Sequence, residues 1–141
     1  KNKQNMLKFI SSIWYKRWLY TGIVIAAIFY LTLVPRPLPP DMDMDIPGID
    51  KLVHAIMFGG LAGTAILDYA YRGHHRFATI SVKAMTIICA LSALMGGGIE
   101  IAQDAMNMGR GGDILDFIAD ITGAVIGTLV AAKILKKSRT H

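Results

Sequence analysis

The chain has 141 residues, room for one domain, with a hydrophobic fraction of 53%, a mean hydropathy of +0.44 and only 18% charged residues, where soluble domains usually carry about 25%. A net charge of +5 would suit nucleic acid, but no basic-aromatic motif accompanies it, and the single cysteine, Cys89, excludes an intrachain disulfide. Long uncharged runs alternate with short charged ones, which is the pattern of a polytopic membrane protein.

Residues 1–17 carry Lys1, Lys3, Lys8, Lys16 and Arg17 and no acid. Leu7, Ile10, Ile13 and Trp14 share one helical face that suits a membrane surface. A solvated basic leader into the first span explains the same residues more simply. Residues 18–34 form an apolar run of 17 residues, just enough to cross ~30 Å of hydrocarbon. It ends in Pro35-Arg36-Pro37 without a small-residue cleavage site, so it reads as an uncleaved span rather than a secretory signal. Four of the five prolines fall in 35–40, and Asp41, Asp43 and Asp45 follow. A calcium loop needs a glycine turn and a terminal glutamate that this stretch lacks, so a solvated acidic loop is expected.

A second span is predicted over 52–71, entered through Asp50 and Lys51, with His54 one turn inside and Asp68 near the far end. Gly59, Gly60 and Gly63 suit close helix contact. The adjacent His74 and His75 of the basic 72–83 loop cannot share a helical face, which argues against a metal there. A third span is predicted over 84–103, ending in a glycine run, Glu100 and Gln103, and a fourth over 113–132. In that last span Asp113, Asp116, Asp120, Gly123 and Gly127 recur at +3 and +4, forming one stripe of a helix. A carboxylate facing lipid costs roughly 2.5–3.5 kcal/mol or more, so the stripe must face protein, water or a ligand.

The leader, the 72–83 loop and the tail from 133 hold twelve of the fifteen Lys and Arg residues, whereas the alternate loops hold only Arg36, Lys51 and Arg110. The expected architecture is therefore an all-α bundle of four spans with both termini cytoplasmic. That topology gathers Asp50, Lys51, His54, Glu100, Gln103, Arg110, Asp113, Asp116 and Asp120 at the outer ends of spans two, three and four. An outward-open polar cleft is expected there. His54, Glu100 and Asp116 are the candidate acid/base groups, and Lys51 and Arg110 the anion contacts. The competing reading is an ion-paired network that locks the bundle at its rim. A divalent ion on His54, Glu100, Asp113 and Asp116 is a sharper version of the cleft. Without HExxH, paired cysteines or a second histidine in the cleft, neither metal nor cofactor is assigned. Ser81, Ser92 and Thr122 carry no nucleophile signature beside His54.

DKLVH at 50–54, ExxQ at 100–103 and RGGDILDFIADITG at 110–123 together resemble the VanZ-like family in order and spacing. One departure is visible: Asp120 stands where that pattern usually has Asn. The resemblance implies a small bacterial inner-membrane protein of the cell envelope, and it adds Gly123 to the functional or structural core. The family's founding member is associated with low-level resistance to the glycopeptide teicoplanin. Resistance does not pass to this chain by resemblance, because members occur widely outside resistance clusters. Two functions from different classes are carried forward. One is a protein of the lipid bilayer whose cleft binds a lipid headgroup or lipid-linked cell-wall precursor, with no nucleic-acid partner. The other is a membrane-embedded enzyme acting on a lipid-linked or phospholipid substrate.

Overall fold

The computed structural model describes residues 18–34, 47–71, 78–106 and 112–137. The basic leader, the DMDMD loop, His74, His75, Arg110 and the end of the tail lie outside the described residues. Among the described residues there are four helices: α1 Leu19–Leu33, α2 Ile49–Ala70, α3 Val82–Met106 and α4 Ile114–Lys137.

Helix α1 stops where the sequence makes it stop. Val34 is extended (φ −81°, ψ 125°), as the residue before Pro35 is expected to be, because the proline ring crowds a helical conformation there. The 15 residues of α1 rise only about 22 Å, short of ~30 Å of hydrocarbon. The other three helices are long and apolar enough to cross a membrane. Helices α3 and α4 run beyond the spans expected at 84–103 and 113–132. Helical hydrogen bonding does not end with the apolar run, and Lys133 and Lys136 are good helix formers that complement the negative end of α4. Helix α2 starts after Gly48, whose φ of 81° is left-handed and suits a residue without Cβ.

Helix α2 is the centre of the bundle. Its Phe58 and Leu61 join Ile28 of α1 and Ile99 of α3 in one buried cluster. Its Ile66 and Ala70 join Ala131 and Leu135 of α4 in a second. Between these clusters α2 meets α4 through glycine. A Cβ on Gly123 would collide with the Ala55 carbonyl, and one on Gly127 with the Gly59 carbonyl. Gly59 and Gly63 thus face Gly123 and Gly127 in register, a small-xxx-small contact on both helices that brings backbone against backbone. The shared register makes α2 and α4 parallel neighbours.

The short helix α1 is tied at both ends by side chains from its neighbours. Near its start, Thr21 donates from its N–H (3.0 Å) and its hydroxyl (2.6 Å) to Asp68 Oδ2 of α2. The carboxylate thereby satisfies a first-turn N–H that lacks a helical partner and sits at the positive end of the helix. Near its end, Gln103 Nε2 of α3 donates to the Thr32 carbonyl at 2.9 Å, one of the acceptors a helix leaves open. The outer faces are apolar and exposed, with Ile56, Leu94, Ile101, Ile126 and Leu129 among the largest exposed groups. A surface of that kind is matched by lipid.

Candidate functional site

The carboxylate stripe of α4 descends from the rim of the bundle into its interior. Side-chain exposure falls from 40% at Asp113 to 14% at Asp116 and 0% at Asp120, over a helical rise of about 10 Å. Helix α2 lies alongside, so Lys51 meets the top of the stripe and His54, one turn further in, meets the bottom. Glu100 enters from α3, and Gly112 allows the chain before α4 to lie against the Glu100 carbonyl.

At the rim, Lys51 Nζ donates to Asp50 Oδ2 (2.8 Å), Asp113 Oδ2 (3.0 Å) and Asp116 Oδ1 (3.1 Å). An ammonium has three N–H donors, and all three are taken by carboxylates. The anion contact expected of Lys51 therefore competes with three acids already in place. Asp113 also caps α4: its Oδ1 accepts from Leu115 N at 2.8 Å, the usual service of an aspartate before a helix. The Leu115 N–H and then Lys51 hold the Asp113 carboxyl below its ordinary pKa.

On the floor, His54 stands between carboxylates from two other helices. Its Nδ1 is 2.9 Å from Asp120 Oδ1 and 3.9 Å from Glu100 Oε1, while Nε2 is 3.9 Å from Asp116 Oδ2. Glu100 Oε2 accepts from Asp113 N at 2.7 Å, which ties the end of α3 to the start of α4. Two carboxylate oxygens of the floor are buried without a hydrogen-bond partner, Glu100 Oε1 and Asp120 Oδ2, as is Asp68 Oδ1 beside α1. Among the described residues two sets of three could hold a cation, His54 with Glu100 and Asp120, and Asp50 with Asp113 and Asp116. In the second set the Lys51 ammonium already binds all three acids.

Of the residues expected in the cleft, Asp50, Lys51, Asp113 and Asp116 form the rim, and His54, Glu100 and Asp120 the floor. Gln103 donates instead to the Thr32 carbonyl of α1; three residues after Glu100 it lies about 60° round the helix and nearly a turn nearer its end, which is enough to bring it to a different neighbour. Arg110 lies outside the described residues, and Gly123 belongs to the α2–α4 contact. Gly96 was not singled out as a site residue. A Cβ there would strike the Asp120 carboxylate, so the glycine makes room for the buried acid; the glycine run 96–98 one turn before Glu100 was the available signal.

No curated protein and no solved structure matches the chain significantly. The family model described as VanZ/LLP1 matches residues 2–136, a stretch that contains the four helices up to but not including the last residue of α4 and every residue of the rim and floor. This helical membrane protein belongs to the VanZ/LLP1 family.

Proposed function

We propose that the chain is a multi-pass protein of a bacterial inner membrane whose acidic site opens to the outer side and binds the polar headgroup of a lipid or lipid-linked cell-wall precursor. In this reading all four helices cross the bilayer and both termini are cytoplasmic. The excess of Lys and Arg in the leader, the 72–83 loop and the tail supports that orientation. A short α1 is accommodated by local thinning or by its anchoring to α2 and α3.

The observation that carries the reading is the buried floor. A structural lock would match its acids with cations, as Lys51 does at the rim. On the floor, Glu100 and Asp120 face one imidazole and no ammonium, and each has an oxygen without a partner. Intramembrane ionisable groups left in this state mark a place where something else binds. The alternative, a membrane-embedded enzyme on a lipid-linked or phospholipid substrate, is favoured by one feature. His54 is held through Nδ1 by Asp120 and presents Nε2 toward Asp116, the arrangement of an oriented acid/base histidine.

The test uses the full chain in detergent with two probes, a polyprenyl phosphate and phosphatidylglycerol in mixed micelles, against His54→Ala and Glu100→Gln. Saturable binding of either probe that weakens in both variants, without product formation, supports the binding module. Turnover lost in His54→Ala while binding persists supports the enzyme. Absence of saturable binding to both probes by the wild type refutes the headgroup site.

A further inference from the structure

His54, Glu100 and Asp120 each present one donor atom to a common point, the three atoms lying within 4.8 Å of one another. All are buried: Asp120 is 0% exposed, and His54 and Glu100 are each 8% exposed. Glu100 is bound through Oε2 to Asp113 N, whereas its Oε1 has no partner and is aimed at the imidazole, 3.9 Å from Nδ1. Asp120 Oδ1 lies 2.9 Å from the same nitrogen. Donor atoms bound at about 2.0–2.2 Å to one metal ion stand roughly 3.0–3.5 Å apart. The two separations fall on either side of that range, so a small shift of the Glu100 side chain closes the set.

We propose that His54 Nδ1, Glu100 Oε1 and Asp120 Oδ1 bind one divalent transition-metal ion of the Mn²⁺ or Zn²⁺ class. A nitrogen with two carboxylate oxygens selects that class over Ca²⁺ and Mg²⁺, which prefer all-oxygen surroundings. The charge argument agrees. Glu100 and Asp120 share one imidazole, the Lys51 ammonium is held by the rim acids, and a dication offsets their two negative charges where the dielectric is low. The ion also gives the orphaned Glu100 Oε1 a partner. Asp116 Oδ2, 3.9 Å from Nε2, stands on the opposite side of the ring, where a metal-bound histidine usually finds its outer acceptor. The ion needs Nδ1 unprotonated and both carboxyls ionised, so it competes with protons for the site. This inference rests on the reading that the floor is a ligand site.

The full chain, stripped with EDTA and titrated with Mn²⁺ under electron paramagnetic resonance, is expected to take up one ion. Glu100→Gln and Asp120→Asn should weaken uptake at least roughly tenfold, while Asp104→Asn, an exposed acid on α3, should match the wild type. Full affinity in Asp120→Asn, or no stoichiometric uptake by the wild type, overturns the site. If a floor variant does not fold, a chain carrying His74→Gln, His75→Gln and His141→Gln decides, since His54 is then the sole imidazole. Spin-echo modulation from imidazole nitrogen on the bound Mn²⁺ supports the site, and its absence overturns it. Polyprenyl phosphate binding without Mn²⁺ uptake removes the metal and leaves the headgroup reading; Mn²⁺ uptake without binding of either lipid probe does the reverse.

Discussion

Replacing Gly123 with Ala should destabilise the bundle, whereas the same change at Gly60 should not. The added Cβ at Gly123 meets the Ala55 backbone carbonyl. A carbonyl within a helix cannot swing aside as a side chain can, so α2 and α4 must separate by something on the order of 1 Å, which forfeits a quarter to a half of the dispersion energy at each contact. Overpacking of this kind costs about 1–3 kcal/mol, and the upper end applies because the neighbouring Gly127–Gly59 contact opens with it. At Gly60 a Cβ meets nothing within 4 Å, and only the helix propensity remains, which favours Ala by up to ~1 kcal/mol. The two variants should therefore differ by about 3 kcal/mol in equilibrium unfolding from mixed micelles, followed by tryptophan fluorescence. Coincident unfolding curves would show that α2 and α4 do not meet through their glycine backbones.

Thr21→Val removes the 2.6 Å hydroxyl donation to buried Asp68 and should cost about 1.5–3 kcal/mol in the same unfolding assay, without changing Mn²⁺ uptake. Gln103→Leu frees the Thr32 carbonyl and should cost about 1 kcal/mol. It should raise hydrogen exchange near the end of α1 while leaving lipid and metal binding intact; a loss of binding instead would return Gln103 to the site. Asp113→Asn keeps a helix cap but loses the charge that Lys51 and the Leu115 N–H favour. The folded-state pKa of Asp113 is depressed, so the advantage of the wild type over this variant is complete above the ordinary value of 3.8. It fades as pH falls through the lower folded value. An advantage that grows on acidification would contradict the sign.

The helices were legible in the residues because a bilayer asks for long apolar runs and because Pro35 ends α1 for a reason local to the backbone. The stripe from Asp113 to Gly127 was legible too, since periodicity alone puts those positions on one face. The same reasoning could not tell which members of the cleft belong together. Glu100 and Gln103 were both expected in the cleft, yet one accepts from Asp113 N and the other donates to the Thr32 carbonyl. Asp68 stood alone in its span until Thr21, 47 residues earlier, was found against it.

Sequence by itself determined a helical membrane protein and the stripe that carries Asp113, Asp116 and Asp120 on one face. Burial cost in hydrocarbon and the 3.6-residue period act along the chain and need no knowledge of neighbours. Only the tertiary structure decided that Lys51 is consumed by three acids, that His54 sits among the others, and that Asp120 is lodged against Gly96. Those outcomes depend on the relative position of α2, α3 and α4, which the glycine contact between α2 and α4 sets and no single helix contains.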